Sequence, residues 1–322
     1  MTRKRWFIGF AVLSLLVGGG VAQAEEPTSW SVGTRTWVTS GYTKWNFQGA
    51  GINPISELRW RGTDAVIVEG NADFVEERRG ATPQYVLMMS LGGGKVTDGV
   101  LIDDDFLLSN RQGRFSHTRS SVEDEGVFYV NADIGWRPLS WRSRNSQALG
   151  YLDVFVGYQY WREEYVAFGI TGNLILGPGI VINQGAPSST KVITHDYTWH
   201  SLRVGARTEV PILAGLSARA KAVLLPYNHT ELQDIHHLRS DTLKQNPSFS
   251  SEANGGFGFQ LDAGLSYQVW KGLSIEGGYQ FSRIDSGEGD KFTRALTGTA
   301  KDRLTEIIVE RGGPYFGLRY RF

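Results

Sequence analysis

Cysteine is absent from the 322 residues, which excludes a disulfide-stapled scaffold and any thiolate-held metal. Neither sign of charge is in excess. Lys+Arg and Asp+Glu each number 33, so the broad basic surface needed for nucleic acid is missing. Long apolar runs are also missing: beyond residue 24 nothing approaches the ~20 residues of a membrane-spanning helix. Glycine and aromatics are abundant, with 40 Gly, 10 Trp, 13 Tyr and 16 Phe. That aromatic load excludes a disordered chain. Length alone suggests about two domains, but a barrel reaches this size as one unit.

The first residues read as an address. Met1 to Arg5 is short and basic, Trp6 to Val17 is almost wholly apolar, and Val21-Ala22-Gln23-Ala24 supplies an A-x-A site before Glu25. This is the pattern of a cleaved secretory signal peptide, residues 1–24, and the apolar run is too short for an anchor. Three cations leave with it, so the mature domain, 25–322, carries a charge near −3. An exported chain without cysteine fits the Gram-negative envelope.

Along the mature chain the recurring pattern is alternation with period two, the mark of a strand with two unlike faces. Phe316, Leu318, Tyr320 and Phe322 interleave with Gly317, Arg319 and Arg321. Phe257, Phe259, Leu261, Ala263, Leu265 and Tyr267 oppose Gly258, Gln260, Asp262, Gly264 and Ser266. Residues 273–282 repeat the pattern, and in 128–137 Asn131, Asp133 and Arg137 oppose Val130, Ala132, Ile134 and Trp136. A soluble sandwich also alternates. Three features favour a membrane barrel: runs of the ~9–11 residues that cross a bilayer, aromatics near strand ends, and ionised residues kept off the apolar face. The chain also ends on an aromatic residue at the tip of such a strand.

The fold predicted is an all-β, antiparallel, up-and-down transmembrane barrel of ten strands. They lie at about 30–47, 55–76, 84–96, 126–138, 150–168, 195–211, 216–230, 256–270, 272–285 and 310–322. Long outward loops are expected at 97–125, 169–194, 231–255 and 286–309, with a shorter one at 48–54. Brief periplasmic turns are expected near 77–83, 139–149, 212–215 and 271. Inward side chains largely fill a bore of ten strands, which argues against a general diffusion porin. A closed sheet has no free edge, so a monomer is expected.

Strand parity brings two polar clusters to one rim: Asp103-Asp104-Asp105-Phe106 after the third strand and Asp234-Ile235-His236-His237 after the seventh. Asp234 and His236, two apart on extended chain, point the same way. The carboxylate can then hold the imidazole in one tautomer while the ring takes a proton from water. Asp103 and Asp105 also share a face, and crowding raises one of their pKa values, making a group that can hold or pass a proton. Solvated surface charge is the plainer reading of such acidic loops. Metal is another: His229, His236 and His237 with Asp234 for zinc, or the three aspartates for calcium. Residues 236 and 237 point oppositely on a strand and chelate one ion poorly, so no metal is assigned. His117, His195 and His200 read as loop or strand-edge residues, with His117 a secondary candidate because it shares a loop with the aspartates.

This constellation resembles that of the omptins, outer-membrane endoproteases built on a ten-stranded barrel. Ser31-Val32-Gly33-Thr34 and Ser40-Gly41-Tyr42-Thr43-Lys44 resemble the family's opening strand, and Ser56-Glu57-Leu58-Arg59-Trp60 its second. Its D-x-D followed by an aromatic falls on Asp103, Asp105 and Phe106, and its D-x-H on Asp234 and His236. The resemblance implies His236 as general base, Asp234 as its orienter, and Asp103 with Asp105 positioning the attacking water or the oxyanion, without an acyl-enzyme. It implies no cofactor beyond lipopolysaccharide, a peptide or protein substrate at the cell surface, and an outer-membrane location.

Departures from the family pattern bear on specificity. Omptins cut beside basic residues because two acids line the specificity pocket, and at those positions this chain has Trp45 and Leu232. The expected substrate residue is therefore apolar or aromatic, because a buried Lys or Arg would be left unpaired. Gly157-Tyr158-Gln159 matches a family landmark, placing Tyr158 and Arg162 on lipopolysaccharide-binding positions; the intervening position, acidic in omptins, is Tyr160. The rival functions are a non-catalytic barrel of the same fold, for binding, adhesion or envelope integrity, and a narrow solute channel.

Overall fold

The computed structural model describes residues 28–76, 84–123, 126–143, 148–177 and 180–322. The signal peptide read at 1–24 and the turn at 77–83 lie outside them, as does part of the turn at 139–149. In chain order the strands are β1 (Thr28–Gly49), β2 (Ile52–Glu76), β3 (Gln84–Leu108), β4 (Gln112–Glu123) and β5 (Gly126–Arg142). They continue with β6 (Leu149–Gly177), β7 (Ile180–Leu213), β8 (Leu216–His236), β9 (Phe249–Gly255) and β10 (Phe257–Trp270). The last are β11 (Leu273–Asp285), β12 (Gly289–Ala295) and β13 (Gly298–Arg321). One short 3-10 turn, His237–Arg239, follows β8.

All pairings are antiparallel, and β13 pairs with β1 as well as with β11, which closes the sheet into a barrel. Three positions in the ring are shared by two strands. β5 and then β4 lie between β3 and β6, β10 and then β9 lie against β8, and β11 and then β12 lie against β13. The ring therefore has ten staves, at the positions the alternation predicts. Gly256 makes the break between β9 and β10 possible. Its φ is +83° and an added Cβ would lie 2.1 Å from a backbone oxygen.

The outer face carries the expected apolar belt: Leu87, Met89, Leu91, Ile134, Val156, Leu202, Leu261, Ile275, Phe316 and Leu318 are all exposed. Inward residues of the same strands are polar and paired. Arg35 meets Glu69 at 2.7 Å and Asp262 at 2.6 Å, while Arg203 meets Asp133 at 2.7 Å. Arg207 joins Asp73 at 2.6 Å to Asp153 at 2.9 Å, and Arg311 meets Glu163 at 2.8 Å. Large charged and aromatic side chains cross the bore and fill it, which speaks against the channel reading.

The long outward segments differ from expectation. They are not loops. β6 runs for 29 residues and β7 for 34, although ~9–11 suffice to cross a bilayer. The staves continue upward as paired ladders: Ser116 lies opposite Leu174, Lys291 opposite Asp302, and Phe249 opposite Asp234. The physical reason is that a strand above the membrane has water or polar groups on both faces. In Ser116-His117-Thr118-Arg119-Ser120 hydrophobicity does not alternate, although the backbone does. Gly169, with φ +66° and no room for a Cβ against Ser188, sits where the β6–β7 register shifts.

Candidate active site

The rim above the bore is therefore a wall of paired strands, and the polar clusters stand on it. On β3, Asp103 is paired across to Leu58 and Thr118, and Asp105 to Ser56 and Ser116. On β8, Asp234 lies opposite His195 of β7 and Phe249 of β9. Asp103, Asp105 and His236 line one cavity of about 400 Å³. Its other walls are mainly apolar, with Trp45, Leu58, Ile170, Val192 and Phe249 among them, and Arg239 of the 3-10 turn also lines it.

Alternation separates the acidic triplet. Asp104 points away from the cavity, is itself buried, and is held by Arg59, by Arg114 at 3.3 Å and by His117 at 2.7 Å. The three aspartates consequently do not converge on one site, as calcium would need. Nor do the residues considered for zinc: His229 bonds Asn254 and Glu231 on the outer face, and His237 bonds Thr194. His117 serves the Asp104 cluster.

Burial, with the neighbouring charges of Asp105, Asp234 and Asp104, pushes the Asp103 carboxyl well above the usual carboxylate range. Burial also raises Asp105, against the Ser56 and Ser116 hydroxyls and the charge of Arg239. The pair thus holds a proton more firmly than two solvated aspartates. Burial pushes the His236 imidazole down to about 4, although Asp234 pulls the other way, so the ring is a neutral base at ordinary pH. Phe249 lies edge-on to it with ring centres 4.7 Å apart.

The expected hydrogen bond from His236 to Asp234 is not formed, their nearest atoms, Nε2 and Oδ2, being 3.9 Å apart. The bond goes instead to His195, whose Nδ1 is 2.7 Å from Asp234 Oδ1. Both residues are fully buried. His195 is thus neither a solvated nor an edge residue, correcting the reading from sequence. The signal that could have found it is strand parity: His195 shares its inward face with Tyr197, Trp199, Ser201 and Arg203, all buried. Asp103 Oδ1, Asp234 Oδ2, His236 Nε2 and His195 Nε2 are buried and find no hydrogen-bond partner among the described residues. Buried polar atoms are normally paired; two of these orphans, on Asp103 and His236, belong to residues that line the cavity, and the other two sit on the Asp234–His195 pair next to His236.

Of the two specificity positions, Trp45 lines the cavity and its Nε1 donates to Ser251 Oγ at 3.3 Å. Leu232 is buried two residues deeper on β8, in the hydrophobic core. Beside Trp45 lies a cation the sequence gave no reason to place there. The Lys291 ammonium sits 3.5 Å from the Phe47 ring centre and 4.5 Å from that of Phe249, with Asp302 at 3.4 Å. Burial pushes it down to about 8. On the outer face, Tyr158 and Arg162 are exposed; Tyr158 bonds His200, and Arg162 grips Asp196 with two bonds of 2.9 and 2.6 Å and reaches Glu164 at 3.3 Å.

By sequence the chain matches no protein-family model and no curated protein. By structure it aligns with the outer membrane protease OmpT of Escherichia coli at a TM-score of 0.71 and 15% identity, covering 91% of this chain and 97% of that one. The chain shares the fold of that protease. Two further solved structures align far more weakly: a Pseudomonas aeruginosa FadL homologue (TM-score 0.28, 9% identity, 91% and 90% covered) and the Ralstonia pickettii toluene transporter TbuX (0.19, 9%, 92% and 90%).

Proposed function

We propose that this protein is an outer-membrane endopeptidase that hydrolyses peptide bonds with an activated water. The observation that carries the reading is the meeting of Asp103, Asp105 and His236 at one mostly apolar cavity, with Asp103 Oδ1 and His236 Nε2 buried and bonded to no protein partner. Neutral His236 takes a proton from water, and the hydroxide attacks the scissile carbonyl. The proton shared by Asp103 and Asp105 is hydrogen-bonded to the developing oxyanion. As the tetrahedral adduct collapses, the imidazolium returns its proton to the leaving amine. Asp234, buried beside the imidazole, stabilises the imidazolium through its charge. OmpT, whose fold this chain shares, is an outer membrane protease, which supports the protease reading at the level of fold.

The cavity selects against cations. Trp45 in its wall and Leu232 in the core beneath offer no counter-charge, and Lys291 and Arg239 already place two positive groups around the site. Burying a substrate Lys or Arg there would leave its charge unpaired, at a cost of several kcal/mol. The test is an unbiased peptide library presented to the barrel refolded with lipopolysaccharide, with His236→Ala as control. Cleavage beside Phe or Leu is expected to exceed cleavage beside Arg by at least about 100-fold, the equivalent of about 2.7 kcal/mol. Faster cleavage of a dibasic peptide than of its Leu analogue would reverse this specificity. No cleavage of any member would favour the binding barrel.

Lipopolysaccharide is proposed to contact the outer face at Tyr158 and Arg162. Arg162 is spoken for by Asp196 and Glu164, so a lipid phosphate has to displace a carboxylate from the guanidinium. Arg162→Ala is therefore expected to weaken lipopolysaccharide binding about tenfold, at the lower end for one charged hydrogen bond. Equal stabilisation of the variant and wild type in a lipopolysaccharide titration counts against this contact.

A further inference from the structure

Building on the proposed hydrolytic function, we propose that His195 is a positioning residue of the site, holding one oxygen of Asp234 so that the other remains turned toward His236. The bond from His195 Nδ1–H to Asp234 Oδ1 measures 2.7 Å and lies between directly paired residues of β7 and β8, so the backbone ladder fixes its length. Trp60 lies against the imidazole with ring centres 5.2 Å apart, and Tyr197 meets it edge-on at 5.6 Å. The ring has no room to swing. Asp234 Oδ2 is left without a hydrogen bond, 3.9 Å from His236 Nε2.

A fully buried carboxylate needs donors to remain ionised and oriented. Among the described residues Asp234 has one side-chain donor, and it is His195. The arrangement gives each imidazole a separate task. His195 keeps its Nδ1 proton and holds the carboxylate, while His236 keeps Nε2 free for the water. When His236 becomes imidazolium, the unbonded oxygen lies close enough to receive it with a small side-chain movement. The other charges around the pair are Asp103 across the cavity, and Arg239 and Lys291.

The test compares His195→Ala with His195→Asn, whose amide nitrogen can replace Nδ1 as donor, in refolded barrels of equal heat-modifiability on gels. His195→Ala is expected to lower kcat about 10- to 100-fold at unchanged KM, the range of one hydrogen bond to a charged group. Its acid limb should move to higher pH, because a carboxylate released from His195 is free to close on His236 and favour the imidazolium. His195→Asn should recover most of kcat and the original profile. The bond itself is read without substrate: a downfield Nδ1–H proton resonance, lost in Asp234→Asn and kept in His236→Ala.

His195→Ala cleaving as fast as wild type overturns the proposal, as does His195→Asn failing as badly as His195→Ala. A wild-type barrel that cleaves nothing overturns the hydrolytic reading and this role with it. That result differs from failure of the role alone, in which wild type cleaves and His195→Ala keeps pace.

Discussion

His236→Ala is expected to reduce kcat/KM by about 10²–10⁴, the usual worth of a positioned general base. The imidazole is one of the polar groups lining the cavity, its Nε2 is buried without a partner, and Phe249 fixes its plane. The pH profile gives the finer check. With His236 held near 4, the neutral base is fully present at neutral pH and is lost as pH falls through about 4, so the acid limb should lie there. Asp103 is shifted in the opposite sense. Its proton is retained well above the ordinary carboxylate range and is lost as pH rises, producing the alkaline limb. Asp103→Asn carries a permanent neutral donor, so its alkaline limb should vanish while part of the activity remains; Asp103→Ala should lose both. Initial rates on one cleavable peptide across this range decide the matter. Equal rates for His236→Ala and wild type would remove the base from the mechanism.

Arg311→Met is expected to destabilise the barrel by about 3–5 kcal/mol, the cost of stranding one half of a buried ion pair. Arg311 and Glu163 are almost entirely inaccessible, bonded at 2.8 and 3.2 Å. Trp161 also donates to Glu163 at 2.9 Å, and Tyr165 donates to its other oxygen. Neutral donors cannot replace the lost positive charge. The double variant Arg311→Met with Glu163→Gln should recover much of the loss, because no ionised group then stays buried. Guanidinium midpoints in one detergent, at one lipid content, measure both. A single variant as stable as wild type would mean that water reaches Glu163 through the bore.

The ten staves were legible because membrane-facing strands must alternate, as in Phe316 to Phe322 and Val130 to Trp136. Alternation also sorted the candidate residues: Asp103 and Asp105 face the cavity while Asp104 turns to Arg59 and Arg114. The signal stops where lipid stops. Above the membrane, residues such as Ser116 to Ser120 are polar on both faces, and the extended ladders looked like loops. His195 was overlooked for a related reason. Its partner lies 39 positions away, and the pairing depends on a β7–β8 register that one strand cannot reveal. Lys291 is similar, reaching Phe47 through the fold and not through any local motif.

The seam between β1 and β13 has a consequence for biogenesis. Trp45 and Leu58 arrive early in synthesis, His236 and Phe249 late, and the first and last strands must meet before these walls enclose one chamber. Until the ring closes, the acids and the base lie on separate stretches of chain, so the proposed hydrolytic competence would appear only with the finished barrel.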